Sequence, residues 1–323
     1  MKKFIITSKD IDISEKLRLD HFLTSALQES KSQVHQVIKK GLVLLNSKPC
    51  NKNGIFLKEG DCLCVLSPQK EEQESKSDFI GEIAILYEDE DVLVLNKPPH
   101  LVVHSAPSVK EATLVDYLKS RGFKLSNLAG EERYGIVHRL DKPTSGAIAI
   151  AKSNQAHNVL SEQLKHKIMG RYYLAITDLP LKDRVDVECN MGRNPNHRLK
   201  MAKLFEGRYS KTSFIPLLQG REGSLCVAKL YTGRTHQIRL HLETLSRHIL
   251  GDELYGKKDH TSLRLMLHAY MMYFTHPISK EPIFIQAPLF EDMIGFLKQN
   301  FLMEEVNEAI SKKHILHCFG DCF

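Results

Sequence analysis

The 323-residue chain contains no tryptophan, and nothing in the sequence accounts for that absence. Its seven cysteines form no pair of Cys-x-x-Cys motifs, which excludes a zinc ribbon or finger. Their odd number and irregular spacing also argue against a secreted disulfide scaffold, so reduced thiols and a cytoplasmic location are expected. Cys62 and Cys64 stand at strand spacing and should share a face. Cys318 and Cys322 lack His or Cys partners at metal-ligand spacing. No run approaches the ~18 apolar residues of a membrane span. The opening MKKFIITSKDIDIS turns polar too early for a signal peptide. A glycine-rich phosphate loop, an internal repeat and a low-complexity segment are also absent. Charge of one sign is only slightly in excess, 45 Lys+Arg against 39 Asp+Glu. The placement of the charges therefore matters more than their sum.

What is present is ordinary globular material, 42% hydrophobic and 26% charged, and the length suggests two domains. Leu19, Phe22, Leu23, Ala26 and Leu27 follow helical spacing. Ser30 or Ser32 can cap a second helix carrying Val34, Val37 and Ile38. Lys39 and Lys40 fall at its negative end, and Gly41 is placed for a left-handed C-cap. A strand over Leu42 to Leu45, a turn at Asn46 to Pro49 and a strand with Leu63 and Val65 on one face complete the unit. Six lysines and no acid lie between Ser30 and Lys58. A charge run is usually a solvated face, but one spread over a helix and the following loops can gather on a nucleic-acid surface.

The segment from Ser67 to Glu82 is polar and reads as a linker, and the second domain starts at residue 83. Two short strands, Ile83 to Tyr87 and Val92 to Asn96, end at Lys97-Pro98-Pro99. Helices are expected over Thr113 to Leu118, Asn154 to Lys165 and Gln237 to Leu245, with short strands between Tyr173 and Leu230. Residues 301–323 read as a terminal helix and a loose tail.

Two stretches could carry chemistry. GIVHRLDKPTSGAIAIA, from Gly135 to Ala151, reads as strand, charged loop and strand, with Asp141 beside Arg139 and Lys142. A surface hairpin with solvated ion pairs is the bland alternative. A kinase-like base fails on spacing, because the position five residues after Asp141 is Gly146 rather than Asn. In YTGRTHQIRLHL, from Tyr231 to Leu242, Arg234, His236, Arg239 and His241 crowd the start of a helix. Cations there oppose the helix dipole, which points to an anionic partner, either RNA phosphate or a carboxylate.

The N-terminal unit resembles the S4 RNA-binding domain. The matching residues are Leu17-Arg18-Leu19-Asp20, Ser30-Lys31-Ser32, Ile38-Lys39-Lys40-Gly41-Leu42-Val43, Asn46 and Gly60-Asp61. Lys31 stands where the family often has Arg, and it meets phosphate as a point charge without a planar fork. GIVHRLDKPTSGAIAIAKS, RYYLAI, TGRTHQIRLHL, GDELYG and LMLHA follow in that order. Together they resemble the RluA-type pseudouridine synthases, which often carry an N-terminal S4 domain.

The resemblance implies an α+β protein. Residues 1–70 would be an S4-like domain, 71–82 a linker, and 83–300 a catalytic domain with a mixed, mostly antiparallel sheet. It implies that Asp141 adds to the uracil ring or to ribose C1′, and that uracil detaches, turns and rejoins through C5. An adjacent cation would keep such a carboxylate ionised, and the motif match gives that part to Arg234 as a bidentate partner. Tyr173 would stack on the flipped base, while Tyr172 must point to the opposite face. Arg139 would hold the nucleotide open or grip phosphate. His138 is read as a structural hydrogen-bonding residue near the substrate, Arg239 as a substrate contact, and Leu267 as part of an apolar pocket wall. Arg18, Lys31, Lys39, Lys40, Arg193, Arg198 and Lys200 are the expected RNA contacts. The last three belong to the segment Arg193 to Lys211, with six Lys/Arg and one acid, Glu206.

No cofactor, metal or membrane is implied. The expected partner is large-subunit ribosomal RNA, met as a monomer during assembly. The rival readings are the same reaction on tRNA and a non-catalytic RNA-binding assembly factor.

Overall fold

The computed structural model describes residues 2–8, 10, 17–27, 29, 31–66, 81–105, 109, 111–256 and 263–321. They fall into two units, Met1–Lys76 and Ser77–Phe323. Most of the linker expected over 71–82 lies outside the described residues.

The first unit runs β1 (Lys2–Ile5), α1 (Leu19–Leu27), α2 (Lys31–Lys39), β2 (Val43–Leu45), β3 (Lys48–Pro49) and β4 (Cys62–Val65). Its antiparallel sheet has the order β1-β4-β2-β3. The opening segment is thus a strand against β4, which the sequence pattern does not announce. Helical spacing puts Leu19 and Leu23 of α1 and Val34 and Ile38 of α2 into one core with Val43, Leu63 and Val65. Cys62 and Cys64 point away from that core, on the face opposite Leu63 and Val65. Gly41 ends α2 at φ +69°, and the N–H groups of Gly41 and Leu42 donate back to Ile38 and Val37 carbonyls, as the left-handed cap requires. Of the two caps expected, Ser30 lies outside the described residues, and Ser32 falls inside α2 and not before it.

The second unit opens with β5 (Ile85–Glu88), β6 (Val92–Lys97), α3 (Leu114–Ser120), β7 (Ser145–Ala151), α4 (Asn154–Lys165) and β8 (Gly170–Thr177). It continues with β9 (Val185–Arg193), β10 (Met201–Lys203), β11 (Arg208–Gln219), β12 (Ser224–Leu230) and α5 (Gln237–Thr244). Strands β13 (Leu267–Thr275) and β14 (Pro282–Gln286) precede α6 (Glu291–Asn300), α7 (Met303–Ala309) and α8 (Lys312–Phe319). The sheet order is β10-β9-β11-β12-β8-β13-β7-β6-β5, with β14 also beside β13. Every strand pairing of this sheet is antiparallel except β13 with β7.

Strand alternation sorts the core into two layers. Leu93, Leu95, Ile148 and Ile150 enter the large core with α3, while Val92, Val94, Ala147, Ala149 and Ala151 face α4. The AIAIA run is therefore covered on both sides. Thr113 caps α3 in a reciprocal box with Asp116. The first arm expected of the Gly135-to-Ala151 hairpin does not form a strand; Ile136 makes a single bridge to Ile150. A loop there, rather than a two-stranded ribbon, carries Asp141.

Residues 301–321 hold two packed helices where one terminal helix and a loose tail were expected, and residues 322–323 lie outside the described residues. Val306, Ile310, Ile315, Leu316 and Phe319 enter the large core. Beyond α8 the Asp321 carboxylate accepts from the Tyr172 hydroxyl and from Lys229 Nζ. Through Phe319, α8 packs on Tyr172, which lies on the face of β8 opposite Tyr173.

Candidate active site

Strands β8 and β13, with the loop leading into the neighbouring β7, line a cleft of about 540 Å³. Tyr173 lies on β8 and Leu267 begins β13, while Asp141 sits in the loop leading into β7. Gly146 closes the β7–β13 contact at φ +111°, where a Cβ would fall 2.3 Å from the Ala269 carbonyl oxygen. Only glycine fits that approach. Across from these strands stand the loop Thr232 to His236 and the first turn of α5. Asp141, Arg234, Tyr173, Arg139, His138, Leu267 and Arg239 all line the one cleft.

The cation beside Asp141 is Arg239, not Arg234. Arg239 Nη1 lies 3.7 Å from Asp141 Oδ2, and the two side chains are 6% and 15% exposed. The same guanidinium holds Asp252 in a fork, Nε to Oδ2 and Nη2 to Oδ1, both 2.7 Å. Of the two anionic partners that the crowded helix start left open, RNA phosphate or a carboxylate, Arg239 has two carboxylates beside it, Asp141 and Asp252. Arg234 is exposed and its Nε donates to the Tyr209 carbonyl at 3.1 Å. The chain turns between the two at His236, which is left-handed at φ +56°. That turn sends Arg234 to the cleft mouth and Arg239 inward. Gln237 fixes the loop by accepting from Arg234 N and Thr232 Oγ1 and donating to Lys211 O and Thr212 Oγ1.

Asp252 and Tyr255, from the GDELYG segment, were not singled out by sequence reasoning. The Asp252 side chain is 1% exposed. Burial works against its charge, but the Arg239 fork and the Tyr255 and Leu254 N–H groups hold its carboxyl below the ordinary 3.8. The Tyr255 ring lies 5.0 Å from the Arg239 guanidinium and its hydroxyl meets Met201 N at 2.7 Å and His236 Nδ1 at 3.2 Å. Burial pushes that phenol up to about 12. Tyr255 thus joins the cleft wall to β10.

Lys97 was read only as the end of a strand. It is fully buried, and its Nζ donates to the carbonyls of Pro98 (2.8 Å), Leu101 (2.9 Å) and Lys142 (3.2 Å). The last bond ties it to the residue following Asp141. Burial lowers its pKa to about 7, with the Asp141 charge opposing and Arg264 adding. A lysine closing an apolar strand was the available sequence signal.

Tyr173 is 5% exposed, and burial pushes its phenol up to about 12. Tyr172, on the other face, packs against Tyr273 and Phe319. Arg171, two residues from Tyr173, also lines the cleft; among the described residues its buried Nε has no hydrogen-bond partner. His138 Nε2 accepts from Ala149 N at 2.9 Å, and burial lowers its pKa to about 3. It is a neutral acceptor in the scaffold beneath Asp141. His241 is buried among Ser210, Thr212 and Cys189 and has a structural place. Arg139 is exposed at the rim.

The expected RNA contacts fall in two places. In the first unit Lys39 and Lys40 are exposed, whereas Arg18 is forked onto Asp20 at 2.8 and 3.0 Å; the Lys31 side chain lies outside the described residues. In the second unit Arg193 and Arg198 are exposed, and Lys200 lies 5.3 Å over the Tyr255 ring.

A carboxylate in a cleft with one buried arginine, an aromatic wall and an apolar floor suits attack on a nucleoside. A family model described as RNA pseudouridylate synthase matches residues 91–244, and an S4 domain model matches residues 17–62. A Helicobacter pylori (strain J99) protein named as an RNA pseudouridine synthase is 53% identical over 312 residues, covering 94% of this chain and 95% of that one. The chain belongs to the RluA-type RNA pseudouridine synthases with an N-terminal S4 domain. Ribosomal large subunit pseudouridine synthase D of Neisseria meningitidis serogroup B is 34% identical over 313 residues, 92% of this chain and 82% of the relative. Human RNA Pseudouridylate Synthase Domain Containing 1 superposes with a TM-score of 0.53 at 26% identity, over 66% of this chain and 86% of that one. As a pseudouridine synthase the chain is an isomerase. None of its described helices is long and apolar enough to cross a membrane.

Proposed function

We propose that this chain converts uridine to pseudouridine in large-subunit ribosomal RNA, with Asp141 as the catalytic carboxylate. The observation that carries the chemistry is the placement of Asp141 against Arg239 at 3.7 Å, with Tyr173 and Leu267 on the adjoining strands. The N1–C1′ bond breaks, the same C1′ bonds to C5, the C5 proton leaves and N1 takes up a proton. The exchange is redox-neutral. It demands a rigid nucleophile and a site in which the freed base turns without escaping. Arg239, locked by Asp252, fixes one carboxylate oxygen of Asp141 and leaves the other for substrate. Tyr173 offers its ring as a wall, Leu267 supplies apolar floor, and Arg139 at the rim meets the displaced strand. Removal of the base from its stack is required because Asp141 lies below the rim.

The ribosomal assignment is supported by the likeness to enzymes named large subunit pseudouridine synthase D and by the S4 unit, whose exposed Lys39 and Lys40 suit phosphate contacts. Asp141→Asn should abolish product while RNA affinity stays within about twofold, because an isosteric amide keeps the cleft shape but is a poor nucleophile. Pseudouridine mapping of ribosomal and transfer RNA with and without the gene checks the target. Loss of a large-subunit modification is expected. Loss confined to tRNA would overturn the ribosomal assignment, and activity surviving in Asp141→Asn would overturn the catalytic one.

A further inference from the structure

Phe205 is the most exposed large apolar side chain among the described residues, at 97%. A single exposed apolar residue is ordinary on a protein surface. This one is held out by a fixed backbone between cations. It sits on the strap Leu204 to Gly207, which carries the chain from β10 across β9 to β11; Lys203 and Arg208 both pair with Met191 of β9. Leu204 N donates to Asn190 O at 2.9 Å, and Asn190 Nδ2 donates to Phe205 O at 3.1 Å. At Gly207 the strap presses on β9 so closely that a Cβ would fall 2.6 Å from the Met191 backbone. Lys203 and Arg208 flank the strap and are exposed.

Both ends of this region are tied to the cleft. Met201 N donates to Tyr255 Oη at 2.7 Å, and Tyr209 O accepts from Arg234 Nε at 3.1 Å. Each anchor is four residues from Phe205 in the sequence, so the Phe205 Cα lies within about 14 Å of the Cα of either one.

We propose that Phe205 stacks on an unpaired nucleobase of the substrate RNA, close to the target uridine. The substrate class is then RNA whose uridine lies in a loop or single strand, since bases inside a duplex have both faces covered. Lys203 and Arg208 take the neighbouring phosphates, and the phenyl ring takes a base face. Such stacking accepts any base, so Phe205 selects for unpaired structure and not for sequence. The inference rests on the RNA-modifying function proposed above.

The absence of tryptophan supplies the test. Phe205→Trp places a single indole in the chain, at an exposed position where folding is not at risk. Its emission is followed on titration with a stem-loop RNA carrying uridine in the loop, with a fully paired duplex of equal length, and with inorganic polyphosphate. The stem-loop should quench the indole and the other two should not. Phe205→Ala should weaken stem-loop binding by roughly 5- to 100-fold, and Phe205→Tyr should restore it. The slope of log affinity against log salt should stay unchanged, because no cation is removed. Equal quenching by duplex or polyphosphate, or wild-type affinity in Phe205→Ala, would overturn the proposal. So would a concentration-dependent blue shift without RNA, which would assign the ring to self-association. A wild-type protein that forms no pseudouridine in any cellular RNA refutes the function itself; an active wild type matched by Phe205→Ala in activity and affinity refutes only the stack.

Discussion

Replacing Arg239 separates its two tasks. It neutralises Asp252, which is buried, and it faces Asp141, which keeps some access to water. In Arg239→Met the Asp252 carboxylate loses its fork and retains only the Leu254 and Tyr255 N–H groups, both at 3.0 Å. Breaking a buried pair from one side costs about 3–5 kcal/mol, and nearly all of it should come from Asp252. Replacing both members by apolar residues of similar size is often neutral. Arg239→Met/Asp252→Leu should therefore regain most of the stability lost in Arg239→Met. Activity should not return, because Asp141 still lacks its cation; removal of one preorganised group of this kind costs roughly 10²–10³-fold in rate. Stability is read by urea unfolding followed by circular dichroism, and activity by tritium release from C5-labelled uridine in RNA. Acid adds a check. The Asp252 carboxyl is held below its ordinary 3.8, so its contribution is fully present above that pH and is lost as pH falls through the lower folded value. The double variant should lack this acid-sensitive part. Recovery of both activity and stability in the double variant would refute the assignment, since Arg239 would then matter only as the counter-charge of Asp252.

Other substitutions test the surrounding shell. Lys97→Met removes three hydrogen bonds to carbonyls and should destabilise by about 2–4 kcal/mol. In the wild type the folded Lys97 binds its proton less tightly than the unfolded one, about 7 against 10.5. Stability should rise with pH across that window, and urea midpoints that do not rise there, or that rise equally in Lys97→Met, would exclude the linkage. Tyr255→Phe keeps the ring over Arg239 but drops the hydroxyl bridge to Met201 and His236; kcat should fall roughly tenfold for a stability loss of about 1 kcal/mol, and an unchanged kcat would detach β10 from the site. Lys39→Ala/Lys40→Ala should flatten the salt slope of RNA binding by about 0.7–0.9 for each phosphate that is no longer neutralised, while an unaltered slope would mean that these lysines stay in solvent.

Much of the architecture is local and therefore legible in the sequence. Helical spacing around Leu19, Leu23, Val34 and Ile38 marks which faces are buried, and Gly41 marks where α2 stops. Alternation in β7 announces a buried strand because each side chain answers only to the period of its own element. The segments around Asp141 and Tyr173 could be read from the motif order as well. The partner of Asp141 could not. Arg234 and Arg239 lie in one motif, five residues apart, and the left-handed turn at His236 decides which of them faces inward. That turn is stable only because Gln237, Thr212 and Tyr255 close around it. Lys97, Asp252 and Tyr255 stayed invisible for the same reason: a charged or hydroxyl group is worth burying only where a distant segment supplies its partner. The C-terminal helices show this most simply. Their apolar faces could be counted from residues 301–323, but the sheet face they cover and the Lys229–Asp321–Tyr172 cluster that fastens them exist only in the folded chain. Local pattern thus specifies the elements, and the motif order marks Asp141 as the candidate carboxylate. The counter-charge of that carboxylate is set by the fold, because desolvated charges are settled by neighbours in space and not by neighbours along the chain.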